Sequence, residues 1–167
     1  MKGGTMDDVR RLLAMEEIKQ LKARYYRCMD TKDWQGLAKV FAPDAIFDLR
    51  EVGSVRHPLT GAWEPPYAGE ERVFRGHAAV LQMIRDAVSQ LITVHHGHMG
   101  EVEITGETTA RGVWAMEDII RSPPGAPRVW MQGFGHYHET YVRLEDGWKI
   151  ETTRITRLYM APDPAGP

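Results

Sequence analysis

Four long β-prone runs fill the second half of this chain, at residues 91–104, 108–121, 129–144 and 148–159. They are separated by Thr105-Gly106-Glu107, by segment 122–127 and by Glu145-Asp146-Gly147. The first and last separators are hairpin-type turns, and strands joined so tightly must run antiparallel. The runs exceed the usual strand length of ~5–6 residues. Gly97, Gly100, Gly112, Gly133 and Gly135 lie inside them, where glycine marks bulges or bends. The spacing therefore predicts a strongly curved antiparallel sheet.

A curved sheet must cover its concave face, and the first half of the chain supplies the cover. From residue 7 to 30 the apolar positions Ile18, Leu21, Tyr25 and Cys28/Met29 recur at helical steps. A second helix is expected over 33–41, burying Trp34, Leu37, Ala38 and Phe41 and stopped by Pro43. A third is expected over 77–89, with Val80, Leu81, Ile84 and Val88 on one stripe. Between them come a β-prone run at 45–49 and a Pro-, Gly- and charge-rich stretch at 50–71 that reads as a long loop. The fold class is α+β: three N-terminal helices and a four- or five-stranded curved sheet form a cone around a pocket. Residues 1–160 read as one domain and 161–167 as a flexible Pro-rich tail.

Charge narrows the function. Twenty-one Lys plus Arg against 23 Asp plus Glu leave a net charge of −2, with no basic block to neutralise a row of phosphates, so nucleic acid is not an expected partner. No apolar run approaches the ~20 residues of a spanning helix, so no membrane partner is expected either. The single cysteine, Cys28, allows no internal disulfide and suits a cytoplasmic location. A small hydrophobic molecule is the expected partner.

Chemistry concentrates in the histidines. Five of seven sit in His95-His96-x-His98 and His136-x-His138. A histidine titrating near ~6.5 is a natural general base at neutral pH, and His95 and His96 should face opposite sides of their strand. Pairs spaced i, i+2 share a strand face; His136 and His138 read as polar lining of a wet pocket, with a His-ligated metal as the rival reading. Asp30 ends the first helix and reads by spacing as a cap of the second, with Asp33. Tyr26 shares a helix face with Asp30, and its phenol could assist a leaving group. Trp114 and Met116 would suit an aromatic substrate, and Glu117, Asp118, Glu139 and Arg154 are further candidates for inward charge.

The motifs carry a resemblance. Ile18-x-x-Leu21 running into Tyr25-Tyr26-x-x-x-Asp30, Lys32-Asp33-Trp34-x-x-Leu37-x-x-x-Phe41-x-x-Asp44-Ala45, Thr93-Val94-His95-His96 and Tyr141-x-Arg143-x-x-x-Gly147-Trp148-Lys149-Ile150 resemble the SnoaL-like branch of the nuclear-transport-factor-2-like superfamily. That cone fold is shared by scytalone dehydratase and hexachlorocyclohexane dehydrochlorinase. The resemblance implies a catalytic dyad of Asp30 and His95, with Asp30 orienting the imidazole, and Tyr26 as a catalytic donor. It departs from those enzymes at Leu49 and at Asp118 or Ile119, where a tyrosine and a histidine are expected, and at Tyr25, where a lysine is expected. Tyr25, His96, Trp114, Met116, His136, His138 and Arg154 are then the expected substrate-binding residues. The implied activity is a lyase or isomerase needing no cofactor and no metal, acting on a small hydrophobic, aromatic or cyclic molecule. The alternative is a non-catalytic ligand-binding or scaffold subunit, like the small subunit of ring-hydroxylating dioxygenases, and the third is a metalloenzyme. The resemblance also implies a homo-oligomer, trimer or dimer.

Overall fold

The structure is a computed structural model that describes residues 7–161 and 163. Helix α1 spans Asp8–Asp30, α2 Trp34–Ala38 and α3 His77–Val88. The strands are β1 Phe41–Asp48, β2 Val55–Arg56, β3 Trp63–Glu64, β4 Val73–Arg75, β5 Ile92–Ile104, β6 Thr109–Arg121, β7 Trp130–Leu144 and β8 Gly147–Ala161. They form one curved, unclosed sheet in the order β3-β2-β8-β7-β6-β5, with β1 also beside β8 and β4 beside β1. The α+β architecture is the expected one. The expected tail at 161–167 lies outside the described residues except for Ala161, which ends β8 opposite Gln132, and Asp163, which pairs with Arg128.

Two local expectations fail. The second helix is a single turn ending at Ala38, and Phe41 already belongs to β1, so Pro43 lies within a strand rather than stopping a helix. Phe41 and the segment 46–48 pair in parallel with β8, and the intervening irregularity accommodates the proline that cannot donate to a ladder. The stretch at 50–71 is not one loop. It contains β2, β3 and the start of a 3-10 turn at Glu70–Arg72, and the sheet has eight strands instead of four or five. Two-residue strands are too short to leave a periodic signal.

Helix α1 starts where the Asp7 side chain accepts from the Arg10 N–H at 2.8 Å. Its buried residues Ala14, Ile18, Leu21, Tyr25 and Cys28 fall at three- and four-residue steps, and this stripe lies across β5 and β8. Along β6 to β8 burial alternates, so Trp114, Met116 and Asp118, Tyr137, Glu139 and Tyr141, and Thr153, Ile155 and Arg157 line the helix-covered face. Among the described residues no helix is long and apolar enough to cross a membrane.

The core carries an ion pair. Lys22 Nζ donates to Glu139 Oε1 at 2.5 Å, with both side chains essentially out of solvent. Glu139 also accepts from the Tyr141 hydroxyl and from Thr153 Oγ1 at 3.3 Å, and Trp114 Nε1 donates to the Tyr141 oxygen at 2.7 Å. The Lys22 ammonium faces the rings of Tyr137, Tyr25 and Tyr26, 3.6, 4.3 and 4.8 Å from their centroids. Burial pulls the Lys22 ammonium down to about 8, against the opposing attraction of Glu139. Removing one partner of such a pair strands the other in the interior. Lys22→Met should therefore cost about 3–5 kcal/mol in urea unfolding, and Lys22→Met with Glu139→Gln should recover part of that loss.

Candidate active site

The last residue of α1 meets the start of β5. A carboxylate at a helix C-terminus faces the negative end of the macrodipole, so Asp30 needs compensation. Strand alternation supplies it by turning Thr93 and His95 toward the helix. Asp30 Oδ1 lies 2.6 Å from His95 Nδ1 and accepts from Thr93 Oγ1 at 2.9 Å, while Oδ2 accepts the His95 backbone N–H at 2.8 Å. Thr93 Oγ1 in turn accepts from Lys32 Nζ at 2.8 Å. Lys32 takes the left-handed conformation, φ 60°, just beyond the helix end, an unfavourable state for a non-glycine residue.

Burial pushes the Asp30 carboxyl up, but the hydrogen bond and charge of His95, with the backbone and Thr93 bonds, outweigh it and hold the group below the usual carboxylate range. An ionised carboxylate only accepts, so His95 Nδ1 carries the proton of this bond. In neutral His95 the second ring nitrogen, Nε2, is then the unprotonated one. The His95 side chain is 5% exposed and that of Asp30 22%, so the pair sits at the edge of the interior. The capping role read from spacing belongs to Asp33, whose Oδ1 accepts from the Gly36 N–H at 2.9 Å.

The neighbours of His95 on the inner face are charged. Asp118 lies directly opposite it on β6 and is bound end-on by Arg157, Nη1 to Oδ1 at 2.8 Å and Nη2 to Oδ2 at 2.7 Å. Arg157 Nε also donates to the Val52 carbonyl at 3.0 Å, tying segment 49–55 to the sheet. Gly133 makes room, because a Cβ there would lie 2.6 Å from Arg157 Nη1 and 2.7 Å from Asp118 Oδ1. The Tyr26 ring lies nearly parallel to the His95 ring, centroids 6.5 Å apart, and burial holds its phenol far above its ordinary range.

The other sequence-predicted residues divide by face. Trp114 and Met116 are buried on the inner face, as is Tyr25, wedged between Phe41 and Tyr137 at 5.9 Å from each ring. His96, His136, His138 and Arg154 are on the opposite face, away from the dyad, because each is out of phase with the buried positions of its strand. His96 approaches Glu117 at 3.9 Å, His138 Nε2 lies 3.0 Å from Thr156 Oγ1, and Arg154 pairs with Glu51 at 2.8 Å. His138 and Arg154 line an outer groove of about 790 Å³. Burial, then the charge of Arg154, pulls the His138 imidazole below its ordinary value. Of the four inward-charge candidates, Asp118 and Glu139 are buried, and Glu117 and Arg154 face out. Among the described residues no group of three His, Cys, Asp or Glu side chains is placed to hold a metal ion.

Sequence reading missed Thr93, Lys32 and Arg157. Thr93 was within reach, two residues before His95 on the same strand face. Arg157 was not, because its partner Asp118 is found only through the register of three strands.

The α+β cone, three helices over a curved unclosed sheet, defines a fold class, and likeness to known proteins gives the family. The SnoaL-like domain profile matches residues 10–154, and the chain belongs to that family. It is 23% identical over 145 residues to a protein of Gibberella zeae named as a probable cyclase, covering 85% of this chain and 89% of that protein. It is 29% identical over 118 residues to an uncharacterized protein of Mycobacterium tuberculosis, covering 65% and 76%. A candidate scytalone dehydratase of Novosphingobium aromaticivorans superposes with TM-score 0.70 at 18% identity over 93% of this chain and 91% of that one. A hexachlorocyclohexane dehydrochlorinase of Novosphingobium barchaimii does so with TM-score 0.71 at 17% identity over 95% of each. At these identities the superpositions establish the shared fold.

The hydrogen bonds on Asp30 make a pH prediction. A carboxyl held below its unfolded value, ~3.9, stabilises the fold at every pH above that value, and the contribution is lost as pH falls through the lower folded value. The stability difference between wild type and Asp30→Ala should shrink as pH falls from about 5 toward 2, as read by urea unfolding across that range.

Proposed function

We propose that this protein is a lyase or isomerase that works by proton transfer at His95, without a cofactor, on a small hydrophobic cyclic molecule. The observation that carries the reading is the 2.6 Å contact between His95 Nδ1 and the ionised Asp30 carboxylate, which leaves Nε2 as a base inside a partly dry site. In this reading Nε2 takes a proton from a carbon next to an activating group. The C–H electron pair becomes a new double bond as a leaving group departs from the adjacent carbon, or returns by reprotonation at another carbon. Asp30 stabilises the imidazolium that forms. When the leaving group is hydroxide, the imidazolium returns its proton to the departing oxygen and water is released, so the step balances with one acid–base residue.

Two neighbours support the step. Arg157, bound to Asp118 and the Val52 carbonyl, holds the Asp118 carboxylate in place opposite His95. Tyr26 limits the movement of the imidazole with its ring. The likeness to a dehydratase and a dehydrochlorinase is consistent with elimination, and the likeness to a cyclase with acid–base chemistry on a ring-forming substrate.

The test is turnover of a panel of cyclic β-hydroxyketones and halocycloalkanes, followed by release of water or halide and by deuterium uptake in D2O. Wild type should convert at least one compound, and His95→Ala and Asp30→Asn should lower kcat by about 10²–10⁴-fold with unchanged circular dichroism. Full activity in His95→Ala would remove the histidine from the mechanism.

A further inference from the structure

A pocket lined by Tyr26, but by neither Asp30 nor His95, adjoins the interior. It has a volume of about 500 Å³, within the range of small-molecule sites, and lies between α1 and the irregular middle of β5. Register slips between Gly97, opposite Met116, and Gly100, opposite Trp114, so His98 and Met99 together face the single residue Ala115. This bulge lifts Met99 into solvent, at 95% exposure, and opens the strand beside the helix. The two glycines admit rings against the backbone. A Cβ at Gly97 would lie 2.4 Å from Tyr26 Cε2, and one at Gly100 would lie 2.5 Å from Trp114 Cε3.

The pocket is lined by side chains with unused donors. Tyr26 is 9% exposed, its hydroxyl is buried against Gly97, and it has no hydrogen-bond partner. Buried hydroxyls are almost always paired, so an orphan lining a cavity calls for a ligand atom. Lys22 lies behind the lining, its ammonium out of solvent and committed to Glu139 and to the tyrosine rings. At the rim Lys19 is held only loosely by Glu16, at 4.0 Å and half exposed. The lining includes Lys19 and His98 and no carboxylate side chain, while Trp114, Met99 and Ala23 give it apolar walls.

We infer that this pocket binds a small planar carboxylate, such as an aromatic acid, with its ring against Trp114 and the glycine bulge. Its oxygens accept from the Tyr26 hydroxyl and from the Lys19 ammonium at the rim. The site shares Tyr26 with the proton-transfer site but neither Asp30 nor His95.

The probe is benzoate, titrated into the full-length protein and followed by the amide signals of Gly97 and Gly100 and the indole N–H of Trp114. Saturable shifts with a Kd on the order of 1 mM are expected for an anion of this size. Benzamide, isosteric and neutral, should bind at least several-fold more weakly. Lys19→Glu should weaken benzoate by roughly tenfold, and Ala23→Leu, on the exposed helix face at the mouth, should abolish its binding. Neither variant disturbs the core. His95→Ala should leave benzoate binding unchanged, so that failure here and failure of the proton-transfer reading are told apart. An absence of saturable shifts at the three reporters, equal response to benzamide, or loss of binding in His95→Ala would each overturn the inference.

Discussion

The short contact between Asp30 and His95 joins the two halves of the molecule at one point. It connects the C-terminal residue of the covering helix to an inward position of the edge strand β5, and it does so with a carboxylate placed where the helix dipole disfavours it. Everything around the contact offsets that cost. The His95 backbone N–H, Thr93 and, through Thr93, the Lys32 ammonium all direct positive charge or donors at Asp30. Lys32 reaches Thr93 from a strained left-handed backbone. The arrangement fixes the tautomer of the imidazole, with Nδ1 as the donor toward Asp30.

Charge elsewhere in the interior follows the same logic of paired groups. Lys22 with Glu139 and Asp118 with Arg157 are both nearly fully buried, and each has additional hydrogen bonds that satisfy its remaining lone pairs or donors. Such pairs add little net stability over apolar replacements but are costly to break. Their positions differ in consequence. Asp118, held by Arg157, lies opposite His95, whereas Lys22 and Glu139 sit among tyrosine rings and tie the helix to the sheet. A cone filled only with aliphatic side chains would close up; these polar pairs, with Gly133 left bare beneath one of them, keep defined polar surfaces within it.

Much of this was legible in the chain. The long strands, their tight turns and the amphipathic helices fixed the layer architecture, because period and turn chemistry are local properties. The Asp30 and His95 pairing came from a family resemblance; spacing by itself pointed to capping, which Asp33 performs. The inward or outward sense of the histidines was less accessible. A strand shows that His95 and His96 oppose each other but not which faces the helix, and His136, His138 and Arg154 lie on the face opposite the dyad, a sense that a strand's alternation does not label when both faces hold polar residues. Short strands within 50–71 depend on pairing with distant β8, so nothing in their own few residues announces them.

Proton transfer at His95 requires a single protonation pattern, which long-range proton–nitrogen NMR of the histidine rings reads directly. With neutral His95, the spectrum should show a protonated Nδ1 and a bare Nε2, and this preference should disappear in Asp30→Ala. A neutral ring protonated at Nε2, or a tautomer mixture unchanged by removing Asp30, would contradict the proposed base and with it the proton-transfer function.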